Sequence, residues 1–300
     1  MLRTLVVASI LTMSSLSFAA GDAGPTYATP EEAAKDPDFA VQGEYTKDGE
    51  GVQVVALGKG QFRVVTYKGG LPGAGWDSSS PKVDEQDTAA TQKGLEDGGL
   101  KKVERKSETL GAKPPEGALA LFDGTVQSLD KHWGATGRVD TDHLLVQGET
   151  STELFGDFTI HLEFRLPYMP EARGQGRGNS GFYMQGRYEV QMLDSFGLEG
   201  LDNECGGIYK VAKPDVNMCY PPLAWQTYDV DFTAAKYDDA GKQTAPAHAK
   251  VRHNGVLIHD RDLVLTPGGV LKDETKDPGP VFLQDHGNPV RYRNIWAVKK

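Results

Sequence analysis

Cysteine is almost missing from this 300-residue chain: Cys205 and Cys219 are the only two, and neither has a neighbouring histidine. That excludes a Cys/His zinc module and a disulfide-dense scaffold. Long apolar runs are missing after the first twenty residues. No later segment supplies the roughly 20 apolar residues that a spanning helix requires, so membrane insertion is not expected. Positive charge is in deficit, with 32 Lys and Arg against 42 Asp and Glu for a formal net charge of −10. Such a field repels phosphate backbones and anionic lipid, which excludes nucleic acid as a partner. Long helical periodicities are scarce, whereas 36 Gly and 17 Pro punctuate short β-branched and aromatic runs. That texture belongs to strands joined by turns. The seven histidines form no His-Glu-x-x-His pattern and the acids form no EF-hand loop. Gly176-Arg177-Gly178-Asn179-Ser180-Gly181 fits G-x-G-x-x-G by letter. The strand-like Phe182-Tyr183-Met184 follows it instead of a helix, so it reads as a glycine-rich loop and not a dinucleotide site.

What is present begins with an export signal over residues 1–19: Arg3, an apolar stretch to Phe18, and small residues at Ser17 and Ala19. The protein is therefore expected to be exported, to the periplasm or beyond the cell. In that oxidising setting a Cys205–Cys219 disulfide is the favoured expectation. Residues 20–76 read as a small β-containing segment. Thr29-Pro30-Glu31-Glu32 marks a short helix start with a capping box. Residues 51–57 and 61–67 flank Gly58-Lys59-Gly60 as a hairpin. Residues 77–116 are polar and charged and read as a linker or a loose helix, ending at Pro114-Pro115.

Over residues 117–300 the chain becomes a series of short strands, at 144–146, 157–166, 180–184, 188–193, 226–232, 249–253, 256–259, 281–284 and 290–298. Within one of them Phe158, Ile160, Leu162 and Phe164 alternate with Thr159, His161, Glu163 and Arg165, predicting a sheet buried on one side. Asn254-Gly255 is the strongest hairpin signal. The fold class is all-β: a two-sheet sandwich with a small β-rich segment before it.

Several short signposts occur in order: Leu121-Phe122-Asp123-Gly124, Gly156-Asp157-Phe158, Gly178-Asn179-Ser180-Gly181, Tyr188-Glu189-Val190-Gln191-Met192-Leu193-Asp194, Gly207-Ile208-Tyr209, Gln284-Asp285-His286-Gly287 and Arg293-Asn294-Ile295. Taken together they resemble the family of 3-keto-glycoside lyases, hydratases and hydrolases. The resemblance implies a concanavalin-like (jelly-roll), lectin-like sandwich acting on an oligosaccharide or glycoside whose C3 hydroxyl has been oxidised to a ketone. The ketone acidifies the C2 proton, so a base can remove it and the glycosidic oxygen leaves from C1. Such a site needs a general base, a stabiliser for the enolate and an acid for the leaving group.

Strand alternation places Glu189 and Gln191 on one face and Val190 and Met192 on the other, which makes Glu189 the candidate base. His286, in the Asp285–Pro289 turn, is the second acid/base candidate. Asn179, Arg187, Gln191, Asp194, Glu163 and Arg165 are candidates for holding the sugar, with a structural ion pair as the competing role for Glu163 and Arg165. Tyr183, Tyr209 and Trp225 could stack on a sugar ring. Laminarinase-like enzymes on this fold carry three acids along one strand, whereas this chain has Glu189, Gln191 and Asp194. Because a retaining pair needs two carboxyls about 5 Å apart, ordinary glycoside hydrolysis is the weaker alternative. A non-catalytic carbohydrate-binding module is the other. No cofactor is assigned; a divalent metal gathered from distant loops stays open.

Overall fold

The computed structural model describes residues 24–134 and 137–300, so the expected export signal lies outside the described residues. The chain opens with two short helices, α1 (Pro30–Ala33) and α2 (Pro37–Val41). Both start at proline behind an oxygen-bearing cap: Thr29 Oγ1 accepts from Glu32 N at 3.2 Å, and Asp36 Oδ1 from Asp38 N at 3.0 Å. The reciprocal capping-box bond goes from Ala28 N, not Thr29 N, to Glu32 Oε2 at 2.8 Å.

Five strands follow: β1 (Gly43–Lys47), β2 (Glu50–Gly58), β3 (Gln61–Lys68), β4 (Lys82–Asp87) and, after helix α3 (Thr88–Asp97), β5 (Lys101–Val103). They form one antiparallel sheet in the order β4-β3-β2-β1-β5. The β2–β3 hairpin turns on Lys59 and Gly60 with φ of 56° and 70°, the left-handed pair that a two-residue turn requires. The stretch read as a polar linker, 77–116, thus contributes β4, α3 and β5 to this sheet. Its charges misled because an edge strand and an exposed helix are legitimately polar.

The larger unit contains β6 (Leu119–Phe122), α4 (Val126–His132), β7 (Leu145–Val146), β8 (Glu149–Phe155), β9 (Phe158–Arg165), β10 (Ser180–Met184) and β11 (Tyr188–Met192). It continues with β12 (Trp225–Thr233), the small pair β13 (Lys236–Tyr237) and β14 (Gln243–Ala245), β15 (His248–His253), β16 (Val256–Asp262), β17 (Gly279–Leu283) and β18 (Arg291–Lys299). One sheet runs β11-β10-β17-β8 and the other β16-β15-β12-β9-β18-β6, with β7 added to β18. Their facing surfaces share one core, in which Phe155, Phe158, Phe232 and Tyr188 pack ring on ring at centroid distances of 5.1 to 5.7 Å. Asn254 (φ 52°) and Gly255 (φ 86°) turn β15 into β16 as their dipeptide predicts. The two-sheet sandwich read from the sequence is the observed fold.

Two expectations need correction. The polar face of β9 is buried too: His161 and Glu163 are 0% and 1% exposed. Residues 105–112 cross that face as a strap. Thr109 Oγ1 donates to Asp229 Oδ2 at 2.6 Å, Gly111 N donates to Glu163 Oε1 at 2.6 Å, and Asn294 Nδ2 and Trp296 Nε1 each donate to Ala112 O at 3.1 Å. Second, Cys205 and Cys219 are buried free thiols, not a disulfide. Each sulfur has polar company instead, Cys205 at 3.3 Å from the Tyr228 hydroxyl and Cys219 at 3.5 Å from the Leu193 carbonyl.

The small sheet is welded to the end of the sandwich. Val55 of β2 reaches the main core, while Tyr168 and Leu223 complete the small one. Arg177 donates to the Ala56 carbonyl, and Arg173 Nη2 to the Leu57 carbonyl at 2.7 Å.

Candidate active site

The β10–β11 hairpin sets the site. Its register places Tyr183 opposite Glu189 and Gly181 opposite Gln191, all four on the face away from the core, while Phe182, Val190 and Met192 fill the interior. Over that face lies a cavity of about 230 Å³. Gln175 and Asn179 line it from the loop before β10, Glu189 and Gln191 from β11, and Tyr209 and Lys210 from the loop after it. Pro267, Gly268, Gln284 and His286 complete the wall.

Glu189 is 2% exposed. Its Oε2 accepts from the Tyr183 hydroxyl at 2.5 Å. With the Gln191 amide turned so that its nitrogen faces acceptors, that side chain donates to Glu189 Oε1 at 3.0 Å and to the Ser180 carbonyl at 2.8 Å. Burial pushes the Glu189 carboxyl up to about 7, and the Tyr183 bond acts in the opposite direction. The backbone is pinned as well: Glu189 N donates to Thr266 Oγ1 at 2.9 Å, and the Glu189 carbonyl accepts from Tyr209 N at 3.2 Å. That last bond hangs the Tyr209–Lys210 loop on β11. Lys210 sits at φ 57°, a left-handed conformation uncommon for a lysine. Its ammonium lies 5.4 Å from the Tyr209 ring centroid.

His286 is exposed and lines the same cavity as Glu189. Its turn is fixed by Gly287 N donating to Asp285 Oδ1 at 2.8 Å and by Asn179 N donating to Asn288 Oδ1 at 2.7 Å. Asn179 is buried, with its amide nitrogen held by the Gln175 carbonyl at 2.7 Å.

Four expected sugar contacts lie elsewhere. Arg187 is buried and secures the following loop: Nε donates to the Asp273 carbonyl at 2.7 Å and Nη2 to Thr275 Oγ1 at 3.0 Å. Asp194 lies past the end of β11 and pairs with Arg177 Nε at 2.7 Å. Glu163 and Arg165 belong to the other sheet, Arg165 stacking on Trp225 at 5.1 Å and Glu163 anchoring the strap. Trp225 is sandwiched further by Arg293 at 4.0 Å and does not line the cavity. Sequence reading missed Gln175, Lys210 and the Thr266–Gly268 loop, none of which carries a motif. It named Tyr183 as a stacking ring, although its hydroxyl is what matters here. Among the described residues no group of three or more His, Cys, Asp or Glu is arranged to hold a metal.

Glu163 illustrates a structural carboxylate for contrast. Burial would raise its pKa, but bonds from His161, Asn294, Arg293 and Gly111 N outweigh burial and hold it at about 2. Its folded value lies below the unfolded one, so its contribution to stability is present above the ordinary carboxylate range and is lost as pH falls toward 2. Glu163→Gln should cost about 2 kcal/mol of stability near neutrality, because the charge-assisted bond from Arg293 Nε at 2.7 Å and the attraction of His161 at 3.7 Å are lost. Urea unfolding, together with faster hydrogen exchange at the Gly111 amide, checks this.

A buried carboxyl with a raised pKa, a tyrosine hydroxyl on one oxygen, and amide and histidine side chains around a sugar-sized hollow on a lectin-like sandwich define a carbohydrate-active enzyme. The chain belongs to the family of 3-keto-alpha-glucoside-1,2-lyase-like domains, which it matches over residues 117–298. A structure from Parabacteroides distasonis ATCC 8503, provisionally described as a glycosyl hydrolase and solved at 2.13 Å, is 29% identical with a TM-score of 0.53. The match covers 62% of this chain and 85% of that one. A second from the same organism, likewise described and solved at 1.70 Å, is 19% identical with a TM-score of 0.42, covering 62% and 94%. No curated protein matches the chain.

Proposed function

We propose that the protein cleaves 3-keto-glycosides by elimination across C1 and C2, with Glu189 as the base. The observation that carries this reading is the Glu189 carboxyl itself, buried on the cavity wall and shifted to about 7. Near neutrality it is divided between its two forms, which suits a base that must take a proton and later release it. Its ionised form removes the C2 proton. The C–H electrons form the enolate, which then re-forms the C3 carbonyl as the C1–O bond breaks, leaving an enone. The departing alkoxide takes a proton from His286, which lines the same cavity. The ammonium of Lys210, on the cavity wall, supports the negative charge that develops at O3.

The test is incubation of the purified protein with an aryl 3-keto-glucoside, following aryl alcohol release and enone absorbance. A C2-deuterated substrate should react several-fold more slowly. Equal cleavage of the unoxidised glucoside, or no isotope effect with chemistry rate-limiting, would overturn the reading. The rate should rise with pH through about 7 as Glu189 ionises. A profile flat from pH 5 to 8 would contradict the assignment.

A further inference from the structure

Tyr183 stands behind Glu189 and is fully buried. Its hydroxyl has one proton and two acceptors in reach, Glu189 Oε2 at 2.5 Å and the Pro267 carbonyl at 3.3 Å. A third neighbour fixes how that proton is used. The Gln284 amide donates to the Tyr183 oxygen at 3.2 Å, so the phenol accepts from Gln284 and its own proton must point to Glu189 or to Pro267. Gln284 is itself held, its backbone N donating to the Gly181 carbonyl at 2.9 Å and its carbonyl accepting from Ser180 Oγ at 2.7 Å.

We infer that Tyr183 is a positioning residue whose hydroxyl rotates between Glu189 and the Pro267 carbonyl, so that the carboxyl is hydrogen-bonded in both of its protonation states. With Glu189 ionised, the phenol donates to Oε2. With Glu189 protonated, the carboxyl donates to the phenol oxygen and the phenol proton turns to Pro267. No proton leaves the pair in that rotation and no bond other than hydrogen bonds changes. Burial and the charge of Glu189 keep the phenol itself far above neutrality, so it acts only as a neutral donor and acceptor. A buried carboxyl without such a partner would be unsatisfied in at least one state.

The consequence for the base is directional. The bond is charge-assisted only when Glu189 is ionised, so Tyr183 favours the ionised form. Tyr183→Phe should therefore move the Glu189 midpoint upward by about one to two pH units. Carbon-13 NMR of labelled glutamate carboxyls reads that midpoint without substrate, by comparison with Glu189→Gln to assign the resonance. The inference rests on the elimination reading only for its catalytic consequence: the ascending limb of the pH–rate profile should move by the same amount, with KM little changed. An unmoved or lowered NMR midpoint in Tyr183→Phe overturns the inference. A raised NMR midpoint with an unmoved rate limb upholds the role of Tyr183 and overturns Glu189 as the base. Gln284→Leu, which leaves the phenol in place but removes the donor that orients it, should raise the midpoint by a smaller amount; no change there also counts against the rotor.

Discussion

Glu189→Gln should lower kcat on 3-keto-glycosides by on the order of 10³-fold while leaving the fold intact and raising its stability at alkaline pH. The amide nearly matches the carboxyl in shape and keeps an oxygen for the Tyr183 hydroxyl, now 2.5 Å from Oε2. It cannot take a proton from C2. The stability effect follows from linkage. The folded pKa of about 7 lies above the ordinary glutamate value of 4.5, so between those values the folded state binds more protons than the unfolded chain. Stability contributed by Glu189 is therefore full below 4.5 and is lost as pH rises through 7, by about 3 kcal/mol in all. Glutamine is never ionised and escapes that loss. At pH 8 the variant should melt several degrees above the parent; below pH 4.5 the two should converge. Loss of turnover with a gain in melting temperature marks a group kept for chemistry at the expense of stability. A binding module would instead keep its affinity and show no turnover to lose. Retention of more than a tenth of the parental kcat would remove Glu189 from the base role.

Much of this was legible in the residues because period-two alternation is a local property. Phe158, Ile160, Leu162 and Phe164 announced one core face, and Val190 and Met192 turned Glu189 and Gln191 away from it. Asn254-Gly255 announced its turn because few other dipeptides accept two left-handed residues, and Gly58-Lys59-Gly60 announced the other through its glycines. Pairing between distant segments was not legible. Nothing in the composition of residues 105–112 says that they will strap the polar face of β9, and without the strap Glu163 looks like a solvent-facing or sugar-facing acid. Arg187 and Asp194 flank the right strand, but backbone exits at its two ends aim them at the 273–277 loop and at Arg177. Lys210 and Gln175 reach the cavity from loops whose paths depend on tertiary bonds, such as Tyr209 N to the Glu189 carbonyl.

Gly181→Ala tests the geometry of the site without touching an ionisable group. Gly181 does not sit at positive φ, so its backbone would accept alanine, and the reason for glycine must be space. A Cβ there would lie 2.2 Å from Glu189 Oε1 and 2.9 Å from its carboxyl carbon, far inside contact distance. The carboxylate lies flat over the glycine on the neighbouring strand. Ordinarily a flexible side chain would swing aside at little cost. Here Tyr183 holds Oε2 and Gln191 lies 3.0 Å from Oε1, so moving the carboxyl breaks bonds in a buried setting. Either the carboxylate shifts by about an ångström or the two strands part, and a misplacement of that size costs roughly 10²-fold in kcat. KM should change less, because Asn179, Gln284 and His286 line the cavity from other segments. Overpacking should also cost about 1–3 kcal/mol of stability. Gly94→Ala supplies the control: it lies in α3, with nothing within 4 Å of the added carbon. Alanine there should raise stability by about 0.5–1 kcal/mol and leave turnover unchanged. Full activity in Gly181→Ala would mean that the reacting group is not the carboxylate resting on that glycine.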